Sequence, residues 1–175
     1  RNMLSVSNAI CGRYNNDAFR RVIYTESHDE VANGKARVPE EVWPQNADSS
    51  FAQKRSTLGA GIVFTSPGIP MIFQGQEFLE DGWFDDSKPL DWSKVEKFPG
   101  IVELYKELFR LRRNAFGTTK GLLGQYVNVH HVDPDSRLIA YHRFAEGPAQ
   151  EACVVVANFT GQAVENYSIG FPAAG

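Results

Sequence analysis

The sequence predicts an α/β region followed by an all-β region. Two observations predict the first region: the apolar segments at residues 21–25 and 68–73 each lead into a polar, acidic corner and then into a stretch of helical character. Such repeats are typical of consecutive β/α units of a parallel barrel, in which active sites lie at the carboxyl ends of the strands. A third observation predicts the second region, because beyond Gly121 the apolar residues recur with a period of two.

The apolar and turn-forming residues define the order of elements in the α/β region. They predict a helical segment before residue 20, strands at about 21–26 and 69–74, and long loops at 31–50 and 79–98. About 20 residues without periodicity is long for a connection, and loops of that length are more often lids or binding loops than spacers.

Two helices follow the two predicted strands. Residues 48–50 (Asp-Ser-Ser) supply an N-cap for a helix that continues to about Thr65. Gly59 and Gly61 each cost such a helix roughly 1 kcal/mol relative to Ala, which close packing on a barrel strand would explain. The second helix begins at Pro99 and is expected to stop at Gly117.

A basic cluster lies near the end of this second helix. It comprises Arg110, Arg112 and Arg113, in the expected last turn. Cations there complement the helix dipole, which is a structural role rather than an anion-binding one.

Beyond residue 121, three β segments are expected at about 123–132, 137–144 and 152–159, with a possible fourth at 164–171. Turn-forming residues separate them at 133–136 and 146–148. The predicted domains are therefore 1–118, the α/β part, and 119–175, the β part. About four strands cover a core only poorly, so we expect the β domain to be cut short or thinly closed at its C-terminal end.

The composition excludes several classes of function. A net charge of −3 provides no general basic field for nucleic acid or anionic lipid, and no segment approaches the ~18 apolar residues that span a membrane. Cys11 and Cys153 are expected to be free, buried thiols in a reducing compartment. His130 and His131 point to opposite faces of an alternating strand, which disfavours a joint metal site. The chain begins with Arg1 and is expected to be part of a longer protein.

The ionisable cluster after the first strand is the strongest candidate site. Its residues are Ser27, His28, Asp29 and Glu30. A lone His-Asp pair at a strand end is often structural, so the pair by itself leaves open whether this corner is catalytic. The second strand leads into a similar corner that contains Glu77.

These motifs, in their order and spacing, resemble the α-amylase family of glycoside hydrolases, which includes the α-glucan branching enzymes. The matching segments are residues 27–29, 68–77, 88–92, 100–114, 139–143 and 154–159. The resemblance covers about residues 20–170 and implies the seventh and eighth units of a (β/α)8 TIM barrel followed by a partial antiparallel β-sandwich. Glu26 and Ser27 before the His-Asp pair look closer to branching enzymes than to secreted amylases.

The resemblance assigns chemistry to the His-Asp pair. In that family Asp29 matches the carboxylate that stabilises the oxocarbenium-like transition state, and His28 matches the histidine that hydrogen-bonds the same sugar. Retaining chemistry also needs a nucleophile and an acid/base carboxyl roughly 5–5.5 Å apart. No segment of this chain matches the strands that carry them, so the chain by itself is predicted to be inactive.

Four further residues are candidates for substrate binding, and three of them have a plainer alternative. Glu30 either contacts substrate or is a solvated loop acid, and Glu77 either lies at the catalytic rim or supports its own loop. Trp83, in the acidic loop, either stacks on glucose rings or packs the loop against the last helix. Trp43 is the candidate for an outer sugar platform.

The sequence therefore predicts part of an enzyme that acts on α-1,4-glucans by retaining double displacement. Branching, the transfer of a chain to a 6-hydroxyl, is the first interpretation, and hydrolysis of starch or glycogen is the second. A non-catalytic glucan-binding module is the alternative of another class. The expected partner is an α-glucan, without metal, cofactor, nucleic acid or membrane. The expected location is cytoplasmic, and the isolated chain is expected to self-associate through uncovered barrel edges.

Overall fold

The computed structural model describes residues 2–145 and 151–171. The predicted turn at 146–148 lies outside these residues. The helices are α1 (Met3–Cys11), α2 (His28–Ala32), α3 (Val38–Val42), α4 (Ser50–Thr65), α5 (Ser93–Lys97) and α6 (Pro99–Arg112). The strands are β1 (Val22–Ile23), β2 (Ile69–Pro70), β3 (Tyr126–Asp133), β4 (Leu138–Phe144) and β5 (Cys153–Asn158), and short 3₁₀ turns occupy Ala18–Arg20, Gln76–Phe78 and Lys120–Leu123.

The chain divides into two compact units. The sheet unit comprises Arg1–Val22, Phe64–Ile69 and Arg110–Gly175, and the helical unit comprises Ile23–Val63 and Pro70–Phe109. The domain boundary expected near residue 118 stays a prediction.

Strands β1 and β2 pair with each other. The Ile69 amide donates to the Arg21 carbonyl at 2.8 Å, and the Met71 amide donates to the Ile23 carbonyl at 2.9 Å. Because both bonds advance in the same direction along both strands, the pair is parallel, as consecutive β/α units require. Each strand has only two residues, which is shorter than expected. A complete barrel stays a prediction.

Helix α4 begins at the predicted cap. The Ser49 hydroxyl accepts a hydrogen bond from the Ala52 amide at 3.2 Å. A Cβ at Gly59 would lie 3.2 Å from the Thr25 methyl, so close packing beside β1 accounts for this glycine. A Cβ at Gly61 would have no atom within 4 Å, so close packing does not explain this second glycine and that part of the prediction is wrong.

The two predicted loops contain short helices, which corrects the sequence-based expectation. Within 31–50 the chain forms the end of α2 and all of α3, and within 79–98 it forms α5. Helices of five residues carry no apolar periodicity; their local signals are caps, such as the Ser27 side chain, which accepts from the Glu30 amide at 3.4 Å.

Helix α6 begins at Pro99, as predicted, but ends at Arg112. It stops before Gly117 because Asn114 already adopts a left-handed backbone with φ of 52°. Arg112 does lie in the last turn, but it is buried, and its guanidinium donates to the carbonyls of Phe64, Ser66 and Gly68.

Strands β3, β4 and β5 form an antiparallel sheet in that order, as predicted. Residues 138–141 of the central strand are all buried, and α1 packs against β3 and β4. The expected fourth strand is wrong, since residues 164–171 form no strand. Side chains attach this segment instead: the Tyr167 hydroxyl donates to Asp133 at 2.6 Å and contacts His131 Nε2 at 2.7 Å. The second layer of a sandwich stays a prediction.

The histidines and cysteines occupy separate places in the sheet unit. The β3–β4 register shifts between Val129 and His131, and His130 Nδ1 lies 3.4 Å from His142 Nδ1. Both cysteines are free, but neither is buried: Cys11 ends α1 and is exposed, and Cys153 begins the edge strand β5 and is half-buried. Across residues 2–145 and 151–171, no helix is long and apolar enough to span a membrane.

Candidate active site

The His-Asp pair lies in the first turn of α2, shortly after β1 ends. Its cap Ser27 is buried, whereas the side chains of His28 and Asp29 are 63% and 79% exposed. His28 Nε2 lies 3.1 Å from Asp29 Oδ1. The arrangement presents one imidazole and one carboxylate together to solvent, where both are open to a ligand.

A buried ion pair lies directly behind this turn. Glu26 is 3% exposed and Arg37 is 1% exposed, and Glu26 Oε1 lies 3.3 Å from Arg37 Nη1. Glu26 Oε2 accepts a hydrogen bond from the Val38 amide at 2.6 Å. Burial raises the pKa of the Glu26 carboxyl, although the Val38 amide and the Arg37 charge act in the opposite direction.

Arg37 also connects the segment after β1 to the segment after β2. Its Nε donates to the Gly82 carbonyl at 3.0 Å, and its Nη1 donates to the Gln74 carbonyl at 2.9 Å. The guanidinium lies over the Phe73 ring, 4.2 Å from its centroid. A single buried side chain therefore holds both polar corners of the helical unit.

Aromatic contacts extend from Arg37 to the His-Asp pair. The Phe73 and Phe84 rings meet edge to face with centroids 5.5 Å apart, and the Phe84 and His28 rings do so at 6.2 Å. The loop after β2 thus contacts His28 through Phe84, so the structure brings the two predicted corners together.

Glu80 organises the loop after β2 from its interior. It is 6% exposed; its Oε1 accepts from the amides of Asp81 and Gly82 at 3.0 and 2.9 Å, and its Oε2 accepts from the Asp91 amide at 2.9 Å. Lys94 Nζ lies 3.4 Å away. Burial acts to raise the pKa of the Glu80 carboxyl, but these amides and Lys94 outweigh it, and the net pKa is lowered.

Gly75 permits this arrangement. Its φ is +88°, and a Cβ there would lie 2.7 Å from the Glu80 Cβ. A side chain at this position would therefore strain the backbone and displace the buried carboxylate.

A cleft of about 260 Å³ opens in this loop. Trp83, the residue before Phe84, lines this cleft, and its side chain is 57% exposed. The other lining residues are Arg37, Gln74, Glu80, Gly82, Phe84, Asp85, Lys88, Pro89, Leu90 and Asp91. An indole beside carboxylate, ammonium and carbonyl groups offers a flat apolar surface together with hydrogen-bonding groups, which suits a polyhydroxylated ring.

The remaining predicted site residues have other neighbours. Glu30 pairs with Lys35 at 3.3 Å, and Trp43, which is 45% exposed, packs edge to face on Phe51 at 5.6 Å. Glu77 lies in the 3₁₀ turn after β2, where its Oε2 is buried with no hydrogen-bond partner among the described residues. The predicted substrate-binding roles of these residues stay predictions.

Sequence reasoning missed Arg37 and Phe73 as parts of this site. A single arginine in a Gly- and Pro-containing loop carries no periodic signal, and its burial depends on acceptors from positions 26, 74 and 82. Only the folded chain brings these acceptors together.

No protein-family model matches the chain. It is 31% identical over 166 residues to the 1,4-α-glucan branching enzyme GlgB of Oceanobacillus iheyensis. The aligned region covers 85% of this chain and 23% of that protein. The enzymes of the same name from Rhodospirillum rubrum and Myxococcus xanthus are 30% and 31% identical, each over 85% of this chain and 20% of their own length. The chain thus spans about a fifth to a quarter of the length of these relatives.

A solved structure with a similar fold is the pullulanase of Anoxybacillus sp. LM18-11, complexed with maltotetraose. It superimposes with a TM-score of 0.64 and 23% identity, covering 89% of this chain and 24% of the pullulanase chain. This likeness concerns the fold.

Proposed function

Since the chain belongs to the α-amylase family of glycoside hydrolases, we propose that it is part of a longer enzyme that acts on α-1,4-linked glucans. The proposed reaction is branching: retaining double displacement that transfers a glucan chain to a 6-hydroxyl. The names of the curated relatives, 1,4-α-glucan branching enzymes, support this choice over hydrolysis. A cytoplasmic location stays a prediction.

The observation that carries the proposal is the exposed His28–Asp29 pair beside an aromatic cleft. In the proposed reaction the Asp29 carboxylate accepts hydrogen bonds from sugar hydroxyls and stabilises the positive charge that develops on the ring. His28 hydrogen-bonds the same sugar. The nucleophile and the acid/base carboxyl would come from outside this chain, which by itself is proposed to be inactive.

The surrounding residues would bind the rest of the glucan. Trp83 would form a stacking platform at the cleft, and Trp43 an outer platform. Glu30 and Glu77 are the proposed polar contacts or supports for substrate. The reaction as proposed needs no metal or cofactor.

The test uses the full-length protein that carries this chain, incubated with amylose. Iodine colour and reducing ends are followed together. Loss of colour without new reducing ends supports chain transfer. Loss of colour with rising reducing ends indicates hydrolysis and contradicts branching, and no change in either indicates a glucan-binding module.

Asp29→Asn tests the role of this carboxylate. We expect kcat to fall by roughly 10²–10³-fold, because an uncharged amide cannot stabilise the developing cation. Asp48→Asn is the matched control: Asp48 is also exposed, and its partner is Lys97 at 3.0 Å. The control should keep wild-type activity, and full activity in Asp29→Asn would contradict the proposal.

A further inference from the structure

We propose that Arg37 is a positioning residue, which fixes the His28 imidazole through Phe73 and Phe84 and fixes the turn below it through Glu26. The inference rests on the proposed function, and it adds a residue to the site that sequence patterns do not mark.

Arg37 has the properties of a fixed anchor. It is 1% exposed, and its guanidinium has three acceptors: Glu26 Oε1 at 3.3 Å and the carbonyls of Gln74 and Gly82 at 2.9 and 3.0 Å. Burying a charge is expensive unless it is fully paired, so any shift of this group would cost hydrogen bonds that water cannot replace.

The first connection to the catalytic turn passes through aromatic rings. Arg37 lies 4.2 Å from the Phe73 centroid, Phe73 lies 5.5 Å from Phe84, and Phe84 lies 6.2 Å from His28. The His28 side chain is itself 63% exposed, so its ring has few other packing contacts that could fix its orientation. Contact with the Phe84 ring therefore limits the orientations of the imidazole.

The second connection passes through the backbone. Glu26 lies two residues before His28, and its two oxygens bind Arg37 and the Val38 amide. This attaches the residue just before the capped start of α2 to the start of α3. Misplacement of a positioned group by about 1 Å can cost 10²-fold in rate, so a rigid base for His28 and Asp29 has a direct catalytic consequence.

Lysine cannot replace arginine in this role. The planar guanidinium presents several donors at fixed angles and stacks on a ring face, whereas an ammonium is a compact point charge. Arg37→Lys keeps the positive charge but loses the planar set of donors, so it tests the geometry of the guanidinium separately from its charge.

The experiment is a double-mutant cycle in the full-length protein, combining Arg37→Lys with His28→Ala. We expect Arg37→Lys to lower kcat/KM for amylose at least 10-fold in the wild-type background and by a clearly smaller factor when His28 is already alanine, because the part of the loss that acts through His28 is then absent. Equal losses in both backgrounds, or wild-type activity in Arg37→Lys, would overturn the proposal.

The matched control is Arg112→Lys. Arg112 is also a buried arginine with three carbonyl acceptors, but it belongs to the sheet unit. Arg112→Lys should lower the stability of the protein, but its effect on kcat/KM should be the same whether His28 is present or replaced by alanine. If Arg37→Lys does not fold, Phe84→Leu is the second variant, because it removes the ring between Phe73 and His28 and leaves the Glu26–Arg37 ion pair intact. Its effect on kcat/KM should likewise be smaller when His28 is already alanine.

A spectroscopic readout separates this inference from the proposed function. The His28 and Phe84 rings meet edge to face at 6.2 Å, so the NMR shifts of the His28 ring protons report that geometry. Arg37→Lys should move them and Arg112→Lys should not, whereas an unchanged His28 signal in Arg37→Lys overturns the positioning role. An inactive wild-type protein would instead overturn the proposed function.

Discussion

Glu26 and Asp29 are carboxylates three residues apart in opposite surroundings. Glu26 is 3% exposed and bound to Arg37 and a backbone amide, whereas Asp29 is 79% exposed. The buried carboxylate holds its position through charge-assisted hydrogen bonds, and the exposed one stays open to a ligand. Because they are three residues apart, the fixed Glu26 restrains the backbone from which the exposed Asp29 projects.

Asp133 shows how a single half-buried carboxylate can attach a whole segment. Its Oδ2 accepts from the Tyr167 hydroxyl, and its Oδ1 accepts from the amides of Asp135 and Ser136 at 3.0 and 2.9 Å. The Tyr167 hydroxyl and the Ser136 amide are the main reasons why its pKa is lowered to about 2. The carboxylate thus serves both the β3–β4 turn and the segment around residue 167.

We predict that Asp133→Asn removes an acid-sensitive part of the stability. A carboxyl whose pKa is depressed by folding stabilises the fold above its unfolded pKa, and this contribution is lost as pH falls through about 2. In urea unfolding, the variant should be less stable than wild type at pH 7, and the gap should narrow between pH 4 and pH 2. Asp135→Asn, in the same turn, is the control; an equal gap at both ends of the range would contradict the prediction.

At the scale of elements, the C-terminal end of α4 is held by two buried arginines. The last carbonyls of a helix have no partner within the helix. Arg112 donates to the Phe64 carbonyl and Arg143 to the Thr65 carbonyl at 2.6 Å, while the Tyr141 hydroxyl hydrogen-bonds the Thr65 side chain. Side chains from α6 and β4 thereby satisfy carbonyls at the C-terminal end of α4.

We predict that Arg143→Lys destabilises the chain by about 3 kcal/mol, because a lysine would leave buried carbonyls without donors. Arg143 has no exposed surface, and it also donates to the carbonyls of Tyr126, Leu122 and Gly124. Arg113→Lys is the matched control, since Arg113 is exposed. A change in unfolding free energy that is equally small in both variants would show that the carbonyl contacts are dispensable.

At the scale of the whole molecule, the β1–β2 sheet has the features of an associating surface. The structure describes two strands in it, so each has one edge without a ladder partner. Val22 and Ile69, one on each strand, are both 49% exposed. Open edges with apolar side chains pair readily with other chains.

We predict that the isolated chain self-associates in a concentration-dependent manner, as sedimentation velocity would show. Val22→Lys should shift the distribution towards monomer, because a charge on a strand opposes edge pairing. Val164→Lys, at another exposed valine, should leave it unchanged. A monodisperse monomer of the unmodified chain at all concentrations would rule this behaviour out.

The sequence determined the features that depend on neighbouring residues. The cap at Ser49, the proline that opens α6, the turn at 133–136 and the three strands β3–β5 were all readable, because each is encoded within a few positions. The family was readable for the same reason, since its motifs are short and keep their order.

Tertiary structure decided what depends on distant residues. The acceptors of Arg37 come from positions 26, 74 and 82, and those of Arg112 come from 64 to 68. The failed fourth strand has the same origin, because Tyr167 anchors its segment by side-chain bonds to β3 instead of extending the ladder. Burial of a charge and the choice of a strand's partner are long-range events, and no local pattern in the sequence records them.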